Sequence, residues 1–187
     1  MIMKTIWGIV GMPGSGKSQA ISYAKDFAPV VVMGDVIREE TISRGLDITP
    51  ENLGKISQEL RKIEGKAAIA SRCMKKIISL PENIIIVDGI RSMFEVDEFR
   101  KQFRIIIIAI HTSDNIRHAR LQSRNRADDS INLQTILERD NRELGFGLRE
   151  VIENADYVIN NNGTFQELES QCRKLFQQLA YSKITKE

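Results

Sequence analysis

Gly11-Met12-Pro13-Gly14-Ser15-Gly16-Lys17-Ser18 satisfies the spacing G-x-x-x-x-G-K-[ST] in full. The apolar run Ile6–Val10 precedes it, and the helix-like segment Gln19–Phe27 follows it. That context turns a glycine-rich string into a phosphate-binding loop between a strand and a helix. Gly11, Gly14 and Gly16 let the backbone turn tightly and aim successive N–H groups inward at phosphate oxygens. Met12, Pro13 and Ser15 complete the cradle, and the following helix adds its positive end. Lys17 then reaches the β- and γ-phosphates of a nucleoside triphosphate, and the Ser18 hydroxyl serves Mg²⁺.

Outward from this loop, short β-branched runs recur at Val30–Met33, Ile84–Val87, Ile105–Ile110 and Tyr157–Ile159. They do not alternate polar with apolar, which is how strands covered on both faces of a parallel sheet read. Helical segments lie between them. Thr49-Pro50 gives an N-cap and a first-turn proline, Ser92-x-x-Glu95 and Thr164-x-x-Glu167 are capping boxes, and Gly65 interrupts the stretch from Glu51 to Leu80. Alternating strands and helices predict an α/β doubly wound domain. The second and third runs are separated by about fifty residues, as are the fourth and fifth, more than a simple crossover needs. Extra helices over a site are expected there.

The chain has 187 residues with 27 Lys+Arg and 25 Asp+Glu, a formal charge of +2, and 42% hydrophobic residues. This excludes a disordered chain and gives no surplus of positive charge for bulk nucleic acid or an anionic membrane. Cys73 and Cys172 are about a hundred residues apart with no CxxC pair, which argues against a disulfide framework or a zinc site. No run approaches a membrane span or a signal sequence. The expectation is one cytoplasmic domain over residues 1–187.

Three further clusters carry charge toward the same crevice. Asp35 and Arg38, in Gly34-Asp-Val-Ile-Arg, share a helical face just beyond the second strand. Arg38 suits an acceptor's phosphate and Asp35 an acceptor hydroxyl; the alternative reading makes Asp35 a helix N-cap beside a solvated arginine. Asp88, in Asp88-Gly-Ile-Arg91, ends a buried strand and is placed to serve the metal through water, with Arg91 facing the same crevice. Arg120, Arg124 and Arg126 belong to an arginine-rich flap extending to Arg149. Phosphoryl transfer is catalysed mainly by positioning and positive charge, so such a lid is the expected device. His111 and His118 read as surface residues, and Trp7 as core or base packing.

These motifs resemble the nucleoside monophosphate kinase superfamily, in its adenylate kinase and dephospho-coenzyme A kinase branch. They are closer still to an uncharacterised archaeal adenylate-kinase-related family, through GMPGSGKS, MGDVIREE, TPENLG, VDGIRS, the RADD segment and ADYVINNNGT. The resemblance implies a three-layer P-loop nucleoside triphosphate hydrolase fold: a five-stranded parallel sheet with an acceptor-binding insertion at about 35–80 and a lid at about 115–150. It implies that Asp35 and Arg38 contact a monophosphate, and that Arg120, Arg124, Arg126, Asp128 and Asp129 match the lid, with Arg139 at its exit. It also places Asn162 and Gly163 near the adenine of ATP. The chain departs from adenylate kinases in its shorter D-G-I-R, in having no glutamine until Gln102, and in lacking a Cys₄ cluster. The resemblance therefore leaves the acceptor unassigned.

The resulting expectation is an ATP- and Mg²⁺-dependent phosphotransferase acting on a small nucleotide-like acceptor, with Lys17, Asp35, Arg91, Arg120, Arg124 and Arg126 as its catalytic candidates. Dephospho-coenzyme A kinase is the alternative within the class. A regulatory ATPase without a small acceptor is the alternative from another class.

Overall fold

A computed structural model describes residues 3–123 and 132–181. Five parallel strands form one sheet: β1 (Thr5–Val10), β2 (Val30–Val32), β3 (Ile84–Asp88), β4 (Arg104–His111) and β5 (Tyr157–Asn160), in the order β2-β3-β1-β4-β5. The runs read from the sequence are these five strands. Val30–Met33 is one residue shorter as a strand, because Met33 already begins a helix. β1 is central and buried at every position, with Gly8 opposite Val87 on one side and Ile107 on the other.

Alternation along β1 divides the core. Ile6 and Val10 face a layer built on α4 (Ala68–Ser79), α5 (Met93–Arg100) and α8 (Leu148–Glu153). Trp7 and Ile9 face α1 (Lys17–Ala24) and α9 (Phe165–Tyr181). There the Trp7 ring stacks on Phe176 at 5.6 Å between centroids and 14° between planes. Trp7 is thus a core residue. The two cysteines are free and buried on opposite faces of the sheet, Cys73 in the first layer and Cys172 in the second.

The long intervals hold helices, as their length required. α2 (Met33–Ser43), α3 (Pro50–Glu64) and α4 lie between β2 and β3, while α6 (Asp114–Ser123), α7 (Leu133–Gly145) and α8 lie between β4 and β5. The expected punctuation operates: the Thr49 hydroxyl accepts from Asn52 N, and Gly65 ends α3 at φ 95°. Thr164 and Glu167 close a reciprocal capping box. α1 begins at Lys17, two residues earlier than expected, because Gly16 takes φ 97° and leads directly into the helix.

Strand order reverses at β1, whose two neighbours β3 and β4 follow it on opposite sides. The crevice beyond the carboxyl ends of these strands is where ligands bind in open α/β sheets, and the loop at Gly11 opens there. Replacing Trp7 by Ala removes the largest fully buried side chain of the second layer. It should cost about 3–5 kcal/mol, read as a lower midpoint in denaturant unfolding; a loss below about 1 kcal/mol would contradict this packing.

Candidate functional site

The loop from Gly11 to Gly16 is shaped by its neighbours as much as by its own glycines. Gly14 sits at φ 78°, and a Cβ there would lie 2.8 Å from the carbonyl oxygen of Arg117 and 3.0 Å from Leu121 Cγ. At Gly16 a Cβ would meet Asn161 Nδ2 at 2.2 Å. Both glycines therefore allow a close approach as well as a turn.

Two of the loop's carbonyls are held from outside. The Ser15 carbonyl accepts from Asn161 Nδ2 at 2.8 Å and from the Thr112 hydroxyl at 2.9 Å, which ties the loop to the ends of β5 and β4. The Pro13 carbonyl accepts from Arg117 Nη1 at 2.8 Å. Arg117 is almost fully buried, and its other contacts are the carboxylates of Asp114 and Asp140, the latter on α7. A buried guanidinium is tolerable only when paired in this way. His118 reaches the same Asp140 carboxylate, Nε2 to Oδ2 at 3.1 Å, so it is half-buried in this cluster and not a surface residue; His111 is exposed.

Lys17 Nζ lies at the mouth of the loop and donates to Gly11 O at 2.6 Å and to Met12 O at 3.2 Å. Burial pushes its pKa down to about 8, and the negative charge of Asp88 works against that fall. Asp88 ends β3 with its own pKa raised by burial, offset by Lys17 and Arg91. Ser18 and Asp88 line one cavity of about 530 Å³ with Lys25, Ile21, Ala28, Pro29, Val30 and Val32. A hydroxyl and a carboxylate sharing one cavity are the hard oxygen donors that Mg²⁺ prefers, so the residues present fit the ion.

On the β2 side, Asp35 is not an N-cap. It stands in the first turn of α2, whose cap is Val32, and its Oδ1 accepts from Arg38 Nη1 at 2.7 Å. Both side chains are half exposed, so this pair is weak. Asp35 is close enough to Asp88 to add to the upward push on its pKa. Arg91 follows β3, with Nε 3.2 Å from Glu143 Oε2 of α7. Arg120 donates from Nη2 to the Asn161 carbonyl at 3.1 Å. Asn162 Oδ1 accepts from Ser113 N at 2.8 Å, and Gly163 follows at the exposed start of the turn into α9. Arg124, Arg126, Asp128 and Asp129 lie outside the described residues.

The structure thus brings Lys17, Ser18, Asp88 and Arg91 together at the crevice and seats Arg120 on the loop after β5. Sequence reasoning missed Asn161, Thr112, Arg117, Asp140 and Glu143. Asn161 was in view as the middle of three asparagines. Arg117 and Asp140 are 23 positions apart, and only the docking of α6 on α7 pairs them.

A glycine-rich loop bearing Lys and Ser at the switch point of this parallel sheet defines a P-loop protein of kinase-like fold. The family described as AAA domain matches residues 10–137. A UPF0200 protein of Methanococcus vannielii is 46% identical over 95% of this chain and 97% of its own, and one of Methanocaldococcus jannaschii is 46% identical over 92% and 89%. The chain belongs to the UPF0200 family. In fold it is similar to TT1252 from Thermus thermophilus, with a TM-score of 0.67 and 16% identity over 95% of this chain and 98% of that one. Shikimate kinase from Bacteroides thetaiotaomicron superposes with a TM-score of 0.58 and 14% identity over the same shares.

Because Lys17 titrates near 8 when free and is needed as an ammonium against phosphate, binding above that pH must take up a proton. From pH 8 to pH 9, affinity for a non-hydrolysable ATP analogue should fall about fivefold, with calorimetric proton uptake rising from about half a proton toward one. An affinity constant up to pH 9.5 would contradict the placement of Lys17.

Proposed function

We propose that this protein is an ATP-binding phosphotransferase that moves the γ-phosphoryl of ATP to a small nucleotide-like acceptor, in the manner of the nucleoside monophosphate kinases. The observation that carries the reading is the externally pinned loop, with Lys17 within electrostatic reach of Asp88 and Arg91 and with Ser18 sharing a cavity with Asp88. A P-loop alone serves motors and switches equally. The kinase-like fold and the helices inserted beside the crevice favour transfer to a small molecule.

In this reading residues 1–187 form one cytoplasmic domain, with α2–α4 as the acceptor insertion and α6–α8 as the lid. The glycine loop holds the phosphates, and Lys17, Arg91, Arg120, Arg124 and Arg126 neutralise charge as the bond from phosphorus to the leaving oxygen breaks. Mg²⁺, held by Ser18 and Asp88, would supply further neutralisation of the β- and γ-phosphates. Asn162 and Gly163 border the base, and Arg38 grips the acceptor once phosphate displaces Asp35 from it.

Asp35 also favours a second reading. It lies within electrostatic reach of Asp88, which supports a role in which it accepts the proton of an attacking hydroxyl, as a dephospho-coenzyme A kinase requires.

A panel of nucleoside monophosphates and dephospho-coenzyme A, each incubated with γ-labelled ATP and Mg²⁺, tests both readings. Label should appear on one of these acceptors. Asp35→Asn should then lower turnover about 100-fold for a hydroxyl acceptor and only a few-fold for a phosphate. Transfer to none of them, with ATP still bound and its phosphate released to water, would overturn the proposal in favour of a regulatory ATPase.

A further inference from the structure

Arg91 is held more elaborately than a surface arginine needs to be. Its backbone N–H donates to Glu95 Oε2 at 2.8 Å, and Glu95 is fully buried at the start of α5. The other oxygen of that carboxylate, Oε1, accepts from Arg61 Nη2 of α3 at 2.9 Å. The Arg61 and Arg91 guanidinium groups both pack on the Phe146 ring, 5.2 Å and 5.6 Å from its centroid. Glu143, buried on α7, approaches the Nε edge of Arg91 at 3.2 Å.

Each contact restricts a different freedom. Glu95 fixes the backbone from which the side chain leaves. Phe146 holds the guanidinium over its ring face. Glu143 occupies the Nε edge, and among the described residues it is the one carboxylate within ion-pair distance of Arg91. An anion can therefore use the opposite edge, the Nη1–Nη2 fork that matches phosphate geometry. The assembly stands at the crevice: Arg91 acts electrostatically on both Lys17 and Asp88, and Glu143 acts on Lys17.

We infer that Glu143 and Phe146 are positioning residues, which with Glu95 preset Arg91 so that its fork receives the γ-phosphoryl group of the bound triphosphate. This deepens the phosphotransferase reading and rests on it. α7 acquires a specific role as the element that delivers Glu143 and, at its end, Phe146. Binding energy is otherwise spent on freezing a flexible arginine, and presetting removes that cost before the ligand arrives.

The sign of the effect separates positioning from mere charge. Removing the Glu143 charge near Lys17 should, by electrostatics alone, strengthen every nucleotide anion. Loss of positioning should weaken only a ligand carrying the γ-phosphoryl group. The test is calorimetric titration of wild type, Glu143→Gln, Phe146→Leu and Arg91→Lys with ADP and with a non-hydrolysable ATP analogue, both with Mg²⁺, alongside melting temperatures.

Wild type should prefer the analogue over ADP. Glu143→Gln and Phe146→Leu should each cut that preference about tenfold, the equivalent of one charge-assisted hydrogen bond, with ADP affinity retained or slightly improved. Arg91→Lys should do the same, and Glu143→Gln combined with Arg91→Lys should lose no more than Arg91→Lys alone. Full preference in Glu143→Gln and Phe146→Leu, equal tightening of both ligands in Glu143→Gln, or a wild type without preference would each overturn the inference. Any of these with ADP still bound leaves the nucleotide-binding reading intact, whereas a wild type that binds neither ligand removes both.

Discussion

The carbonyl of Ser15, held by Asn161 and Thr112, is the contact on which the rest of the site depends. A glycine-rich loop has many conformations of similar energy, and freezing one of them costs conformational entropy. Here the cost is offset by hydrogen bonds from the ends of two strands that are themselves paired with β1 or its neighbour. Arg117 adds a third restraint at Pro13. The loop is therefore an extension of the sheet's own rigidity, and the Lys17 ammonium and the first turn of α1 inherit their position from it.

Charge in the crevice is distributed so that neither sign is fully satisfied by protein alone. Burial works against both the Lys17 ammonium and the Asp88 carboxylate, and each partly rescues the other. An anion beside Lys17 and a cation beside Asp88 would relieve both, which is the combination a metal–triphosphate presents. Over the whole chain, the surplus of +2 lies between Arg117 and Arg149, where seven arginines face five acids and there is no lysine. Part of that arginine content is spent inside the protein. Arg117 is buried and paired with the buried Asp140 and the exposed Asp114, so the region's charge is not all available to a ligand.

Much of the fold was legible because its signals are local. Apolar β-branched runs gave all five strands, and Thr49, Ser92, Thr164 and Gly65 marked helix boundaries through contacts within four residues. The loop was legible because its function demands consecutive residues. What stayed hidden depends on pairing across the chain: Arg117 with Asp140, Asn161 with Ser15, and Arg61 with Glu95, which meet only once helices dock on the sheet. His118 was misread for the same reason, since the residue that draws it inward, Asp140, is 22 positions away. The alternative that made Asp35 an N-cap rested on the strand continuing to Met33, whereas the helix starts there and holds Asp35 within its first turn.

Every other assignment at the crevice presupposes that Gly11–Ser18 holds the phosphates of a nucleoside triphosphate, with Lys17 as their principal cation. Calorimetric titration of wild type and Lys17→Ala with a non-hydrolysable ATP analogue and Mg²⁺ measures it most directly. Wild type should show saturable one-to-one binding, and Lys17→Ala should lose at least 100-fold in affinity, about 3 kcal/mol, with a melting temperature near that of wild type. Wild-type affinity in the Lys17→Ala protein would contradict it.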